Sequence, residues 1–189
     1  MRGLLPVDIA SYERMNTKNL VLRKSTIRDV DDIFEIRHNP QLFRYLDEHM
    51  DETKDVTKSY LARMNKGQEE HKWIVWVIEC KADRKVIGTI CLTNINDEES
   101  SATVNFVMHP DYQNQGYMQE SLDTVAMISF DKLGLRKLIA AMDSEDSAAI
   151  ELVENSDFQY FETIQHYYPT KKMKTKLNKY ILVNEYNFF

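Results

Sequence analysis

After His109-Pro110 the chain reads Asp111-Tyr-Gln-Asn-Gln-Gly-Tyr-Met118, a polar turn with a single glycine that leads into an amphipathic segment. That order suits an anion site at a helix N-terminus. The first main-chain N–H groups of a helix have no partner inside it, and the aligned peptide dipoles add partial positive charge there. Gly116 permits close approach of the main chain, and the N–H groups around Asn114–Met118 are those that would hold a phosphate. A lone glycine ahead of a helix also makes an ordinary turn, and both readings stay open on these residues alone. Side chains able to move protons are scattered: His38, His49 and His109, and Tyr160, Tyr167 and Tyr168 late in the chain. Each is a candidate acid or base and equally a packing or surface residue. No metal-ligating set is expected.

The elements that must position these groups follow from periodicity. Residues 20–24 make a short strand. Thr26 to Asp29 matches a capping box with Asp in place of Glu, and Ile27, Val30, Ile33, Phe34 and Ile36 then recur at helical spacing up to Asn39-Pro40. A second helix is expected over about 52–65 with Val56, Tyr60, Leu61 and Met64 as its apolar stripe. Residues 73–80 and 85–92 alternate with period two around Asp83-Arg84, a hairpin in which a two-residue turn would set Cys80 opposite Ile87 and Cys91 opposite Trp76. Trp73 and Trp76 then belong to hairpin and core packing. Ala102–Met108 is a third strand. The helix after Gly116 carries Leu122, Val125, Ile128, Ser129 and Leu133 inward and stops at Gly134. A strand over 136–142, a short helix over 146–155 and strands over 158–168 and 177–185 complete the chain, with Lys171, Lys172, Lys174 and Lys176 lining the last connection. The order is that of an α/β fold around a mixed sheet.

Composition narrows the function. The chain has 189 residues, enough for one domain with a sizeable core, and 43% of them are hydrophobic. The formal net charge is −6, and residues 29–55 alone hold nine acids against three bases, so the whole excess sits in that segment. A nucleic-acid binder would carry a basic face, and none is evident. No apolar run is long enough to span a membrane, Leu4-Leu5 is too short a core for a signal peptide, and two cysteines make no disulfide framework. A cytoplasmic protein with reduced thiols is expected.

Taken together, Asn39–Leu46, Trp76, Ile87-Gly-Thr-Ile90, Phe106–Pro110, Tyr112–Met118 and Phe130–Arg136 resemble the GNAT superfamily of acyl-CoA N-acyltransferases, and within it the branch containing the ribosomal-protein N-terminal acetyltransferases. The similarity runs from about residue 18 to 187. It implies an N-terminal extension over 1–17 and one GNAT domain over 18–189, a twisted mixed sheet flanked by helices and splayed where acetyl-CoA enters beside Val104–Met108. The implied cofactor residues are Phe106, Val107 and Met108 along the pantetheine arm, Gln113, Asn114, Gln115, Gly116, Tyr117 and Met118 at the pyrophosphate, and Asp146 where the family has Asn. Ala149 and Asp157 also depart from the pattern, Met118 replaces a tiny residue, Thr103 stands at a strand position often held by Glu, and Val153 falls where many members have a proton-donating Tyr.

The resemblance implies acetyl transfer from acetyl-CoA to an amine, in a monomer or homodimer. It sets Asn39–Leu46 against the acceptor cleft, so Phe43 and Tyr45 are expected to shape the acceptor pocket. His38 and Tyr167 are the candidate proton-transfer residues. The acidic segment would then form a negative rim that attracts a cationic amine: a basic protein N-terminus, a polyamine or an aminoglycoside. The rival expectation is a catalytically degenerate CoA-binding or protein-interaction module.

Overall fold

In a computed structural model, residues 13–184 can be described, so most of the expected N-terminal extension, together with Glu185, lies outside them. The elements in chain order are β1 (Arg14–Asn16), β2 (Leu20–Arg23), α1 (Val30–Arg37), α2 (Lys54–Glu69), β3 (Ile74–Cys80), β4 (Lys85–Asn96), β5 (Ser101–Met108), α3 (Tyr117–Asp131), β6 (Lys137–Asp143), α4 (Ser147–Asn155), β7 (Gln159–Tyr168) and β8 (Met173–Val183). The eight strands form one sheet in the order β1-β2-β3-β4-β5-β6-β8-β7. Only β5 and β6 run parallel, with α3 carrying the chain across between them, and every other neighbouring pair in the sheet is antiparallel.

Alternating side chains divide the core between two faces. Trp76, Ile78, Leu92 and Val104 pack with Leu122, Val125 and Val153 of α3 and α4. Val77 and Val86 pack on the other face with Val30, Ile33, Ile36 and Leu61 of α1 and α2. The expected inward stripe of α3 is buried throughout. Thr26 caps the turn before α1, with the Thr26 hydroxyl accepting from Arg28 N–H and the Asp29 carboxylate accepting from Thr26 N–H at 2.6 Å.

Four local expectations change. β1 adds a strand ahead of residue 18 and pairs with β2. α2 runs on to Glu69, and its buried side presents Thr57, whose hydroxyl donates to Asp51 at 2.7 Å, while Val56 is exposed. The β3–β4 turn spans four residues, so Cys80 faces Lys85 and Cys91 faces Val75, and a bulge at Ile78/Glu79 absorbs the offset. Both thiols are free. Lys174 and Lys176 belong to β8, so the last connection is Pro169–Lys172.

Candidate active site

The sheet opens at its centre. β5 pairs with β6 only at Ser101–Thr103, opposite Lys137–Ile139, although both strands continue. From Val104 to Met108 the β5 edge facing β6 therefore has no strand partner, while its other edge stays paired to β4 as far as Met108. Gly88 makes that second pairing possible: a Cβ there would lie 2.5 Å from the Val107 carbonyl oxygen. The open edge leads through His109 and Pro110 into the turn before α3.

At that turn Gly116 caps α3 with φ 80°, a left-handed conformation, and nothing stands within 4 Å of where its side chain would project. The first main-chain bond back from α3 is Glu120 N–H to Gly116 O, at 2.9 Å. The N–H groups of Tyr117, Met118 and Gln119 ahead of it have no main-chain partner among the described residues. The loop is fixed by its own amides: Gln113 donates to Met108 O at 2.9 Å and Gln115 to Asp111 O at 2.7 Å. Glu120 points away from the opening and accepts from Asn19 N–H and Asn19 Nδ2, each at 2.7 Å, and from the Thr17 hydroxyl. Burial would raise its pKa, but these donors outweigh that and hold it below the usual range.

One cavity of about 560 Å³ joins the open strand to the helix start. Phe106, Val107, Met108, Gln113, Asn114, Gly116, Met118, Asp146 and Tyr45 all line it. Gln115 and Tyr117 do not line it with their side chains; Tyr117 packs beside the Tyr112 ring. Asp146 caps α4 by accepting from Ala149 N–H at 3.1 Å. Burial, and then the nearby Asp143 carboxylate, raise its pKa above the ordinary range.

Several candidates lie elsewhere. His38 Nδ1 is 2.7 Å from Asp51 O, and its ring stacks on Phe34, so its geometry is that of a helix-end anchor off the cavity. Tyr167 is 51% exposed on β7, the outermost strand, and does not line the cavity. Phe43 is buried beneath the Arg37 guanidinium, 5.6 Å from its ring centroid, and faces a separate pocket. Its neighbours Gln41, Leu42 and Leu46 take the expected place on the wall. Val153 is fully buried in the core. His109 caps its own turn, its Nδ1 accepting from Asp111 N–H.

The acidic segment is also differently employed. Asp29 pairs with Arg23, Asp31 with Lys54, Glu35 with Lys85, Glu48 and Asp51 with Arg37, and Asp55 with Lys58. Asp32 accepts from Val86 N–H and Asp47 from Thr170 N–H. None of the nine acids lines the cavity, so the expected negative rim does not form along it. The pairing around Arg37, which also lies 3.7 Å over the Tyr60 ring, instead anchors the loop that presents Tyr45.

Sequence reasoning missed Pro110, Gln119, Glu151 and Leu152. Helical spacing was the available signal: Gln119 follows Gly116 by three positions, and Leu152 follows Ala148 by four. Gln119 also bridges the helices, donating to Ser156 Oγ at 2.6 Å.

A splayed strand, a free helix start and a cavity joining them match one known arrangement, and the family model described as an acetyltransferase (GNAT) domain aligns with residues 19–159. The chain belongs to the GNAT acetyltransferase family. Among its relatives, the uncharacterized N-acetyltransferase YoaA of Bacillus subtilis is 24% identical over 153 residues, 81% of this chain and 86% of that protein. The spermidine N(1)-acetyltransferase of Vibrio cholerae is 22% identical over 173 residues, 91% of this chain and 97% of that protein. The ribosomal L7/L12 alpha-N-protein acetyltransferase, solved with coenzyme A, superposes with a TM-score of 0.80 at 15% identity, covering 90% of this chain and 98% of that one. The GNAT fold and N-acetyltransferase chemistry are thus shared, and no described helix is long and apolar enough to cross a membrane.

Proposed function

We propose that this GNAT enzyme transfers the acetyl group of acetyl-CoA to a primary amine, in first place the N-terminus of a peptide or ribosomal protein and in second place a polyamine or other small amine. The continuous path from the open edge of β5 to the N-terminus of α3 carries the reading. The N–H groups from Asn114 to Met118 hold the pyrophosphate, with Gly116 leaving room for it. The Phe106–Met108 edge pairs with the amides of the pantetheine arm, and Asp146 stands beside that arm. Acetyl-CoA supplies the thioester carbonyl.

The amine enters from the Gln41–Leu46 side, past Tyr45. It must be neutral to attack, and an α-amine with a pKa near ~8 is far closer to that at neutral pH than a lysine near ~10. Unpaired N–H groups of β5 stabilise the charge that develops on the carbonyl oxygen. As the new C–N bond forms and the C–S bond breaks, the nitrogen loses a proton and the thiolate leaves to be protonated. Neither His38 nor Tyr167 reaches the cavity, so holding the two reactants side by side carries most of the acceleration.

Calorimetric titration with acetyl-CoA tests the first half: micromolar binding is expected, and none at submillimolar cofactor would sink it. A free-thiol release assay across peptide N-termini, polyamines and aminoglycosides tests the second. A binding module without turnover is the second reading, favoured by Val153 in the place of a proton donor. Cofactor binding with no thiol release across that panel selects it.

A further inference from the structure

Among the described residues, all half-buried cations but one are paired. Arg23, Lys24, Arg37, Lys85, Lys137 and Lys179 each meet a carboxylate. Lys171 is the exception among the described residues. It is half-buried like the others, yet its ammonium donates to Arg44 O at 2.5 Å and lies 5.2 Å from the centroid of the Tyr168 ring, with no carboxylate in ion-pair contact. Burial pulls its pKa down, and Asp143 and Asp47 offset this only in part. Both acids are engaged elsewhere: Asp143 accepts from the Thr175 hydroxyl and Glu145 N–H, and Asp47 accepts from Thr170 N–H.

Lys171 lines a side pocket of about 400 Å³ with Arg44, His49 and Thr170. Arg44 also has no carboxylate partner among the described residues, and its guanidinium stands 5.2 Å over the Tyr45 ring. Glu48 is the one carboxylate in the lining, and Arg37 holds it at 3.1 Å. The pocket adjoins the acetyl-transfer cavity, because Arg44 lines the pocket and the next residue, Tyr45, lines the cavity.

We propose that this side pocket receives an anionic group, a carboxylate or phosphate, that the acceptor carries close to the amine to be acetylated. The inference rests on the acetyl-transfer reading above and narrows its acceptor. A half-buried cation with no carboxylate in direct contact gains more from an incoming anion than a solvated or paired one, and here the carbonyl and ring already hold the ammonium in place. A polyamine would add a second positive charge at the same position and is disfavoured. The preference therefore runs opposite to the one that the acidic segment suggested.

The test uses amidated tripeptides that share an N-terminal serine and a third-position alanine and carry aspartate, phosphoserine, asparagine or lysine second, with spermidine alongside. The aspartate or phosphoserine peptide is expected to exceed the asparagine peptide about tenfold in kcat/KM, and whichever is better identifies the anion. In Lys171→Gln that ratio collapses toward one; in Lys171→Arg, which keeps the charge, it largely survives. Use of the asparagine peptide equal to that of both the aspartate and the phosphoserine peptide, preference for lysine or spermidine, or a ratio unchanged in the Arg44→Gln/Lys171→Gln double variant overturns the proposal. Should no peptide be acetylated, sulfate decides, with saturating coenzyme A occupying the α3 terminus. Sulfate should raise the pKa of Lys171, followed by NMR of ¹³C-methylated lysines and assigned with Lys171→Arg; an unmoved value at millimolar sulfate overturns it. Failure of acetyl-CoA to bind in calorimetry removes the acetyl-transfer reading and this one together, whereas acetylation without anion preference removes this one alone.

Discussion

At Gly116 two substitutions separate conformation from chemistry. The left-handed φ of 80° makes any side chain cost about 1 kcal/mol, a fall of roughly 2–4 °C in melting temperature for a chain of this size. Gly116→Ala should show that loss with acetyl-CoA affinity largely kept, since the space beyond is open. Gly116→Glu should show a similar thermal loss and weaken acetyl-CoA by more than tenfold, because it places a carboxylate at the helix start. Equal affinities in calorimetry would remove the anion site from this turn. Asp146 yields a second test. Its folded-state pKa is raised, first by burial and then by Asp143, so ionising it opposes folding. That penalty is absent in acid and sets in as pH rises through the interval between the unfolded and folded values. Asp146→Asn keeps the cap on Ala149, since Asn serves as well as Asp there. The variant should be more stable at pH 7, with the difference vanishing in acid, and should bind acetyl-CoA more tightly. An unchanged dissociation constant would move Asp146 away from the cofactor arm.

The entry to α1 depends on Asp29, which joins the cap to the sheet. Burial alone would raise its pKa, but the Arg23 guanidinium and Thr26 N–H outweigh that and hold it below the usual range. A lowered carboxylate contributes stability above its unfolded pKa and loses it as pH falls through the folded value. Asp29→Asn should therefore cost about 2 kcal/mol at pH 7 by chemical denaturation, with the gap to the parent closing at acid pH. After α1, Asp51 holds Arg37 at 2.9 Å and the Thr57 hydroxyl at 2.7 Å, fixing the loop that carries Tyr45. Asp51→Ala leaves Arg37 short of a buried partner and should cost about 3 kcal/mol. Because the loop loosens, it should also raise KM for the amine more than for acetyl-CoA.

Across the whole molecule, the site depends on a sheet that is closed on one side of β5 and open on the other. Gly88 stands against Val107 and Met108 of β5, and Gly88→Ala must displace the Val107 backbone. Melting temperature and acetyl-CoA affinity should fall together, the second because the shifted strand is the cavity wall. Retained affinity in a destabilised variant would show that the open edge tolerates movement. The β7–β8 hairpin is tied to the Tyr45 side of the cavity through Tyr168, Thr170 and Lys171, each bonded to the Arg44–Asp47 segment 123 to 127 positions earlier. The Tyr168 hydroxyl, pushed up to about 12 chiefly by burial, stays protonated and keeps its bond to Tyr45 across the working pH range.

Local periodicity determined the elements from β2 onward, because burial on one face imposes a period of two on strands and 3.6 on helices, while the three-residue β1 is too short to show a period. The same locality made the turn ahead of α3 readable, since strand end, proline, glycine and helix start are consecutive. It could not reveal that β5 and β6 part after three residue pairs, nor that the turn after β3 has four residues, because pairing length and register depend on both strands at once. Charge misled for a related reason: a count along residues 29–55 is local, but what each carboxylate does depends on partners as distant as Lys85, Val86 and Thr170. Lys171 looked like one of several solvated loop lysines. Only the tertiary packing of Tyr168 and Arg44 around it withdraws that charge from water beside the cavity, and desolvation without a partner is a property of three-dimensional surroundings alone.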